Sequence, residues 1–155
     1  MFISPSYGRL SFDEVFERVA AFFIEEPDTK YKLIIGTDSQ AKDGFVFVTA
    51  LIIYRVGKGG RFFYRKEHET NIHGLRHRIY TETAKSLKVA SKIMDKLIEN
   101  GFADVDVEIH LDVGEHGETR DIIREIVGMV TGSGFDAKIK PDSYGASKVA
   151  DKYTK

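Results

Sequence analysis

Two aspartates follow apolar segments and are spaced like carboxylates at the edge of a sheet. Asp38 ends the segment 34–38, of sequence IIGTD, and Asp112 ends the segment 109–112, of sequence IHLD. The carboxyl ends of parallel strands are where α/β folds place their ligands. If the two strands are adjacent and parallel, both carboxylates come within range of one metal ion. Taken singly, an Asp after a strand is also a common turn former.

A third carboxylate lies on the apolar side of a predicted helix. At about 100° per residue, Glu82 falls among Ile79, Val89 and Ile93 on the helical wheel. The opposite arc carries Lys85, Lys88, Lys92, Asp95 and Glu99. A carboxylate is rarely buried unless it is paired or binds a cation. The alternative is that Glu82 reaches solvent or pairs with Arg78, four residues earlier.

A fourth carboxylate has two candidates. Asp142 directly follows the last predicted strand, on the same sheet edge as Asp38 and Asp112, but it is also placed to cap the helix that follows. Asp151 lies two turns into that helix, away from its apolar side, where it would simply be solvated. Sheet-edge geometry slightly favours Asp142.

The elements that must position these carboxylates follow from periodicity, caps and turn signals. Ser11 and Glu14 form a capping-box pattern that opens a helix to about Glu26. The predicted strands are 32–38, 45–56, 61–69, 105–112 and 135–140, and the further helices are 74–100, 119–132 and 143–155.

The order of elements predicts an α/β fold around a five-stranded mixed sheet. The first three strands are joined by short turns, so they should form an antiparallel meander. Each of the last two strands follows a helix, which makes parallel pairing through right-handed crossovers the default. We therefore expect helices on both faces of the sheet and one additional N-terminal helix. This layout resembles the ribonuclease H fold, which alone does not determine a function.

Three segments carry a closer resemblance. Residues 35–40 (IGTDSQ), 110–114 (HLDVG) and 140–152 (KPDSYGASKVADK) look like the bacterial YkuK-type family, whose members are classed as ribonuclease H-like. The resemblance implies metal ligation by Asp38, Glu82, Asp112 and one of Asp142 or Asp151. Ribonuclease HI has Gly where this chain has Ser39. Gln40 stands where the proofreading-type exonucleases need Glu, which argues against that subclass.

Converging carboxylates would support phosphodiester hydrolysis. Hard oxygen ligands select Mg²⁺ or Mn²⁺, and two such ions about 3.5–4 Å apart activate a water and stabilise the leaving oxygen. In this scheme Asp38 and Asp112 are shared ligands, Glu82 binds one ion, and the fourth Asp lies nearest the leaving or attacking group. His116, just past Asp112, is a candidate proton shuttle, although an exposed loop histidine is more often a bystander.

The charge distribution indicates a polyanionic partner. The chain has a formal net charge of −1, yet residues 55–96 contain 11 Lys and Arg against 4 Asp and Glu. Such asymmetry steers nucleic acid toward one face, although helix and hairpin surfaces carry Lys and Arg in any case. The predicted phosphate contacts are Arg61, Arg65, Lys85, Lys88 and Lys92.

Composition bounds the remaining possibilities. The 155 residues suit one domain, 1–155, and the absence of Cys excludes disulfides and thiolate chemistry. No apolar run is long enough to span a membrane, so we expect a cytoplasmic protein with no membrane partner. His73 and His77 have the spacing of a zinc pair, with His68 or Glu69 nearby, but no Glu follows His73 as a metalloprotease requires.

The sequence thus predicts a Mg²⁺- or Mn²⁺-dependent nuclease acting on RNA, DNA or a hybrid. The alternative is a binding module for nucleic acid or protein that keeps the fold and has lost turnover.

Overall fold

The computed structural model describes residues 1–114, 117 and 119–143, and these form seven strands and three α-helices. The strands are β1 (Phe2–Ser4), β2 (Gly8–Leu10), β3 (Tyr31–Ala41), β4 (Phe45–Arg55), β5 (Gly59–Glu69), β6 (Asp106–His110) and β7 (Asp136–Lys138). The helices are α1 (Phe12–Glu25), α2 (Gly74–Glu99) and α3 (Ile123–Gly132), the last preceded by a 3-10 turn over Arg120–Ile122.

One mixed sheet contains all seven strands, in the order β2-β1-β5-β4-β3-β6-β7. The predicted meander is confirmed, because β3 pairs antiparallel with β4 along its whole length and β4 pairs antiparallel with β5. The predicted parallel pairs are also confirmed, since β6 runs parallel to β3 and β7 parallel to β6. The prediction of five strands was wrong, because β1 and β2 were missed. Each has only three residues, too few for an alternating pattern to show.

The helix boundaries follow from local signals in the chain. The Ser11 hydroxyl accepts from the Glu14 amide at 3.1 Å, and the Glu14 carboxylate accepts from the Ser11 amide at 3.0 Å, which confirms the capping box. Helix α2 ends before Gly101, which has a φ of 81°. The next amide, of Phe102, turns back to donate to the Leu97 carbonyl at 2.8 Å.

The main core lies between one face of the sheet and the three helices. It includes Leu33 and Ile35 of β3, Val107 and Ile109 of β6, and Ile93 of α2, all at most 5% exposed. Alternate residues of the same strands point to the other face, where Ile34 packs with Ala50 and Val48 with Tyr64. All three described helices contribute to the main core. The expected helix on the second face is not found among the described residues, which leave out nearly all of the predicted last helix, 143–155.

No helix in the described part of the chain is both long enough and apolar enough to cross a membrane.

Candidate metal centre

The sheet opens beside β3 because its parallel neighbour is shorter. Strand β6 ends at His110, opposite Gly36, while β3 continues to Ala41. In the described part of the chain, no strand lies beside residues 37–41 on this side. Asp38 therefore lies within its strand, three residues before the end, and the prediction that it terminates the strand was wrong. Asp112 lies two residues beyond the end of β6, and both side chains border the same opening.

Helix α2 supplies the third carboxylate from the main-core side of the sheet. Glu82 is 5% exposed, as the helical spacing predicted. Hydroxyl contacts fix the helix against the strands here, because Thr37 Oγ1 lies 2.8 Å from Ser86 Oγ and 3.0 Å from Thr49 Oγ1. These contacts hold Glu82 at the level of Asp38.

The three predicted carboxylates converge. One oxygen from each of Asp38, Glu82 and Asp112 lies within 4.8 Å of the other two. Oxygens bound to a single Mg²⁺ at about 2.1 Å are separated by about 3–4 Å, so small side-chain rotations bring all three onto one ion. In the described part of the chain this is the only group of three or more metal-binding side chains with this spacing.

Burial raises the pKa of the Glu82 carboxyl to about 8, and the negative charges of Asp38 and Asp112 act in the same direction. A hydrogen bond from Ser39 and the charge of Arg78 oppose this shift without cancelling it. A bound divalent cation would reverse the balance, because it favours the ionised form of all three carboxyls. The donor set therefore fits Mg²⁺ or Mn²⁺.

Ser39 and Arg78 orient Glu82. The Ser39 hydroxyl donates to Glu82 Oε2 at 2.5 Å and accepts from Arg78 Nε at 2.6 Å, while Arg78 Nη2 donates to the Ser39 carbonyl. Arg78 Nε lies 4.0 Å from Glu82 Oε2 and the guanidinium packs over the Phe45 ring. Glu82 thus lies close to Arg78, as the alternative interpretation expected, and also close to Asp38 and Asp112. Ser39, which the comparison with ribonuclease HI marked as a departure, positions Glu82.

Sequence reasoning missed Lys140. Its Nζ lies 2.7 Å from Asp112 Oδ1, and this contact raises the pKa of the Lys140 ammonium, with further contributions from Asp38 and Glu82. The two segments were predicted to pair in parallel, but that prediction gave no register. In the structure His110 is paired with Lys138 at the end of both strands, and Asp112 and Lys140 each lie two residues beyond that pair.

The fourth ligand stays a prediction. Asp142 is exposed, and it does not belong to the group that Asp38, Glu82 and Asp112 form. Its amide donates to the Ile139 carbonyl at 2.8 Å. Asp151 and His116 lie outside the described residues.

The predicted phosphate-binding residues divide into two kinds. Lys85 forms ion pairs with Glu67 at 3.2 Å and Glu69 at 3.0 Å, and Arg65 pairs with Glu67 at 3.3 Å. The others are exposed, with Arg61 and Lys92 extending over aromatic rings; they are Arg61, Lys88 and Lys92. Part of the expected positive surface is therefore neutralised within the molecule.

The histidine pair gives no support to a zinc site. His77 Nδ1 accepts from the His73 amide at 3.0 Å, so one of its two ring nitrogens is already occupied. His68 Nε2 contacts the backbone carbonyls of Lys42 and Asp43.

Comparison with known proteins agrees with this geometry. A family model described as Ribonuclease H-like matches residues 14–155. The chain is also similar to a protein of Bacillus subtilis (strain 168) named "Uncharacterized protein YkuK", with 40% identity over 168 residues, covering 100% of this chain and 97% of that protein. No solved structure gives a significant match.

Proposed function

The chain belongs to the ribonuclease H-like family, and from that premise we propose that it is a divalent-cation-dependent nuclease that hydrolyses phosphodiester bonds of nucleic acid. The observation that carries the proposal is the convergence of Asp38, Glu82 and Asp112 from two strands and a helix. Such a set is costly for a fold without a cation, because three carboxyl groups lie within 4.8 Å and the nearly buried one can ionise only against its two neighbours.

The residues of the chain would bind the cation and hold it at the opening beside β3. Asp38 offers a carboxylate oxygen from β3, and Asp112 offers one from just beyond the end of β6. Glu82 offers a third from α2, and Ser39 orients its carboxylate. When bound, Mg²⁺ or Mn²⁺ lowers the pKa of a coordinated water and acts as a Lewis acid on the phosphate. Glu82 must lose its proton before it can bind the ion, so the site should fill more readily toward pH 8.

A second ion requires a fourth carboxylate. The two-metal scheme, with Asp142 or Asp151 completing the site, is the finer form of the proposal. Loss of metal stoichiometry from two to one in an Asp142→Asn or Asp151→Asn variant would identify the ligand.

The nucleic-acid partner is supported by family membership and by the positive charge on β5 and α2. A groove beside these elements is lined by Arg65, Tyr80, Lys85 and Lys88, among others. Exposed Lys and Arg side chains bind phosphates without reading sequence. Arg61, Lys88 and Lys92 are exposed and form no ion pair in the described part of the chain, so we propose them as the principal phosphate contacts.

The test is a cleavage assay of wild type, Asp38→Asn and Asp106→Asn on labelled single-stranded RNA, single-stranded DNA, an RNA–DNA hybrid and branched DNA, with Mg²⁺, Mn²⁺ or EDTA. Asp106→Asn is the matched control, because it makes the same substitution at an exposed position at the far end of the neighbouring strand β6. We expect metal-dependent cleavage that Asp38→Asn reduces by at least about 100-fold and Asp106→Asn leaves unchanged.

Binding measured in parallel separates the two functions. Asp38→Asn should retain affinity for the cleaved nucleic acid within a few-fold. Wild type that shifts a nucleic acid in a gel but cleaves none of the four would replace the nuclease by a binding module. Wild type that neither binds nor cleaves would exclude both.

A further inference from the structure

Lys140 is held beside the carboxylates by the backbone and not only by its side chain. The Leu111 amide donates to the Lys138 carbonyl at 2.8 Å, and the Lys140 amide donates to the Val113 carbonyl at 2.9 Å. The first bond continues the parallel β6–β7 pairing just beyond His110, and the second joins the two segments further along with a shifted register, so the backbone of residue 140 stays beside residues 112 and 113. The ion pair between Lys140 Nζ and Asp112 Oδ1, at 2.7 Å, forms from that fixed position.

The ammonium lies where a divalent cation has to bind. Asp112 Oδ1 is its direct partner, and its charge also acts on Asp38 and Glu82. A lysine and a divalent ion drawn to the same carboxylates repel each other at short range. The Lys140 side chain is 57% exposed and ends a flexible four-carbon chain, so it has room to withdraw.

We propose that Lys140 is an internal counter-ion that competes with the divalent cation for Asp112, and so sets the cation concentration at which the site fills. The inference rests on the proposed metal-dependent function and adds a control on it. Without a metal, Lys140 offsets part of the negative charge that gathers at the opening beside β3. With a metal, it must give up Asp112, and this displacement weakens metal binding.

The simpler reading is that Lys140 and Asp112 form an ordinary surface ion pair. Such pairs contribute little to the free energy of folding, and a pair of this kind would have no influence on metal affinity. The two interpretations predict different effects of removing Lys140 on Mn²⁺ affinity. Removal of a mere surface pair leaves Mn²⁺ affinity unchanged, whereas removal of a competitor raises it.

The experiment is titration of Mn²⁺ into the substrate-free protein by calorimetry, for wild type, Lys140→Met, Lys140→Arg and Lys138→Met. Methionine keeps the length of the side chain without its charge, and arginine restores the charge. Lys138→Met is the matched control, because it removes the same charge two residues earlier, from an exposed residue with no described ion pair. Thermal melts establish that each variant is folded.

We expect Lys140→Met to bind Mn²⁺ about 3- to 10-fold more tightly than wild type. Lys140→Arg and Lys138→Met should stay within about 2-fold of wild type. If wild type cleaves nucleic acid, the Mn²⁺ concentration for half-maximal cleavage should fall in Lys140→Met by the same factor as the dissociation constant.

Unchanged or weaker Mn²⁺ binding by Lys140→Met overturns the inference and leaves the nuclease proposal standing if wild type binds the metal and cleaves. Tighter Mn²⁺ binding by Lys140→Met, in a protein that cleaves nothing, supports the inference and removes the nuclease. Failure of wild type and Lys140→Met alike to bind Mn²⁺ overturns both.

Discussion

Glu82 and Glu108 are two buried glutamates whose surroundings push their pKa values in opposite directions. They are 5% and 6% exposed, although Glu82 lies deeper in the protein and burial opposes its ionisation more strongly. Glu108 receives a hydrogen bond from His110 at 3.0 Å and an ion pair from Lys32 at 3.0 Å, and these partners lower its pKa in spite of burial. Glu82 lies beside two further carboxylates, and its pKa rises to about 8.

If Glu82 binds a cation as proposed, the difference separates a structural carboxylate from a metal ligand. The fold supplies Glu108 with the Lys32 ammonium and a hydrogen bond from His110, on the sheet face opposite α2. At Glu82 the fold supplies one hydroxyl and more distant positive charge, and it adds two like charges. Strong pKa perturbation at such a cluster is typical of functional sites. Solvent exposure alone does not distinguish the two glutamates.

The largest expected contrast is in turnover. Glu82→Gln should reduce cleavage by at least about 100-fold, because an amide is a poor ligand in place of a carboxylate. Glu108→Gln should stay within about 5-fold of wild type, since its partners lie on the other face. Steady-state cleavage of the preferred nucleic acid in saturating Mn²⁺ measures both. Equal losses in the two variants would contradict the division of roles.

The next contrast is in the free energy of unfolding without metal at pH 7. Glu108→Gln should cost about 1–3 kcal/mol, because it leaves the Lys32 ammonium without its carboxylate and weakens the contact to His110. Glu82→Gln should instead stabilise the metal-free fold, since at this pH the Glu82 carboxyl is ionised in the unfolded chain but has to keep its proton in the fold, whereas Gln is neutral in both states. Urea unfolding followed by circular dichroism gives both values, and a larger loss in Glu82→Gln would reverse the comparison.

The pH dependence of stability sharpens the contrast. The raised pKa of Glu82 means that, between about pH 4.5 and 8, the folded metal-free protein keeps a proton that the unfolded chain releases. The stabilisation of the fold by this proton is fully present below pH 4.5. It is lost as pH rises to about 8, by up to about 1.4 kcal/mol per pH unit. The difference between wild type and Glu82→Gln isolates this slope from the other titrating groups.

Stability curves for the two proteins that remain parallel from pH 5 to 8 would show that Glu82 titrates normally. For Glu108 the sign is opposite. Its lowered pKa stabilises the fold above pH 4.5, and this contribution is lost as pH falls through the folded-state value.

The smallest expected effect compares two basic residues, one paired with carboxylates of the fold and one without such a pair. Lys85 is held by Glu67 and Glu69, whereas Lys88 is exposed and has no ion pair in the described part of the chain. Lys88→Met should lower the slope of log affinity against log salt by about 1, as for one lost phosphate contact. Lys85→Met should lower it by less. Fluorescence anisotropy with a labelled oligonucleotide at several salt concentrations measures both, and a larger change in Lys85→Met would contradict the assignment.

Much of the candidate site was predictable from local patterns. Helical spacing alone indicated that Glu82 is buried, and the helices preceding 105–112 and 135–140 predicted the parallel pairs that bring Asp38 and Asp112 together. These inferences succeed because periodicity and crossover connections are properties of neighbouring residues. The capping box at Ser11 is equally local.

The missed features depend on residues far apart in the chain. The Ser39–Arg78–Glu82 contacts join positions 39 to 43 apart, and the Lys140–Asp112 pair requires the exact alignment of β6 and β7. The unequal lengths of β3 and β6 were not visible either, because LDV at 111–113 continues the apolar pattern after pairing with β3 has stopped. Only the register shows that the opening begins there.

The two outermost strands of the sheet, β2 and β7, have three residues each, while the eleven-residue strands lie inside. Long exposed edges pair with other chains, and short or charged edges suppress this. The N-terminal hairpin of β1 and β2 covers β5 at Tyr64, and the flanking stretch carries Arg61, Arg65 and Lys66. The first ten residues thus cover part of the edge of β5. In a version of the protein that begins at Ser11, the eleven-residue strand β5 would be an uncovered edge strand, and the protein would become prone to self-association.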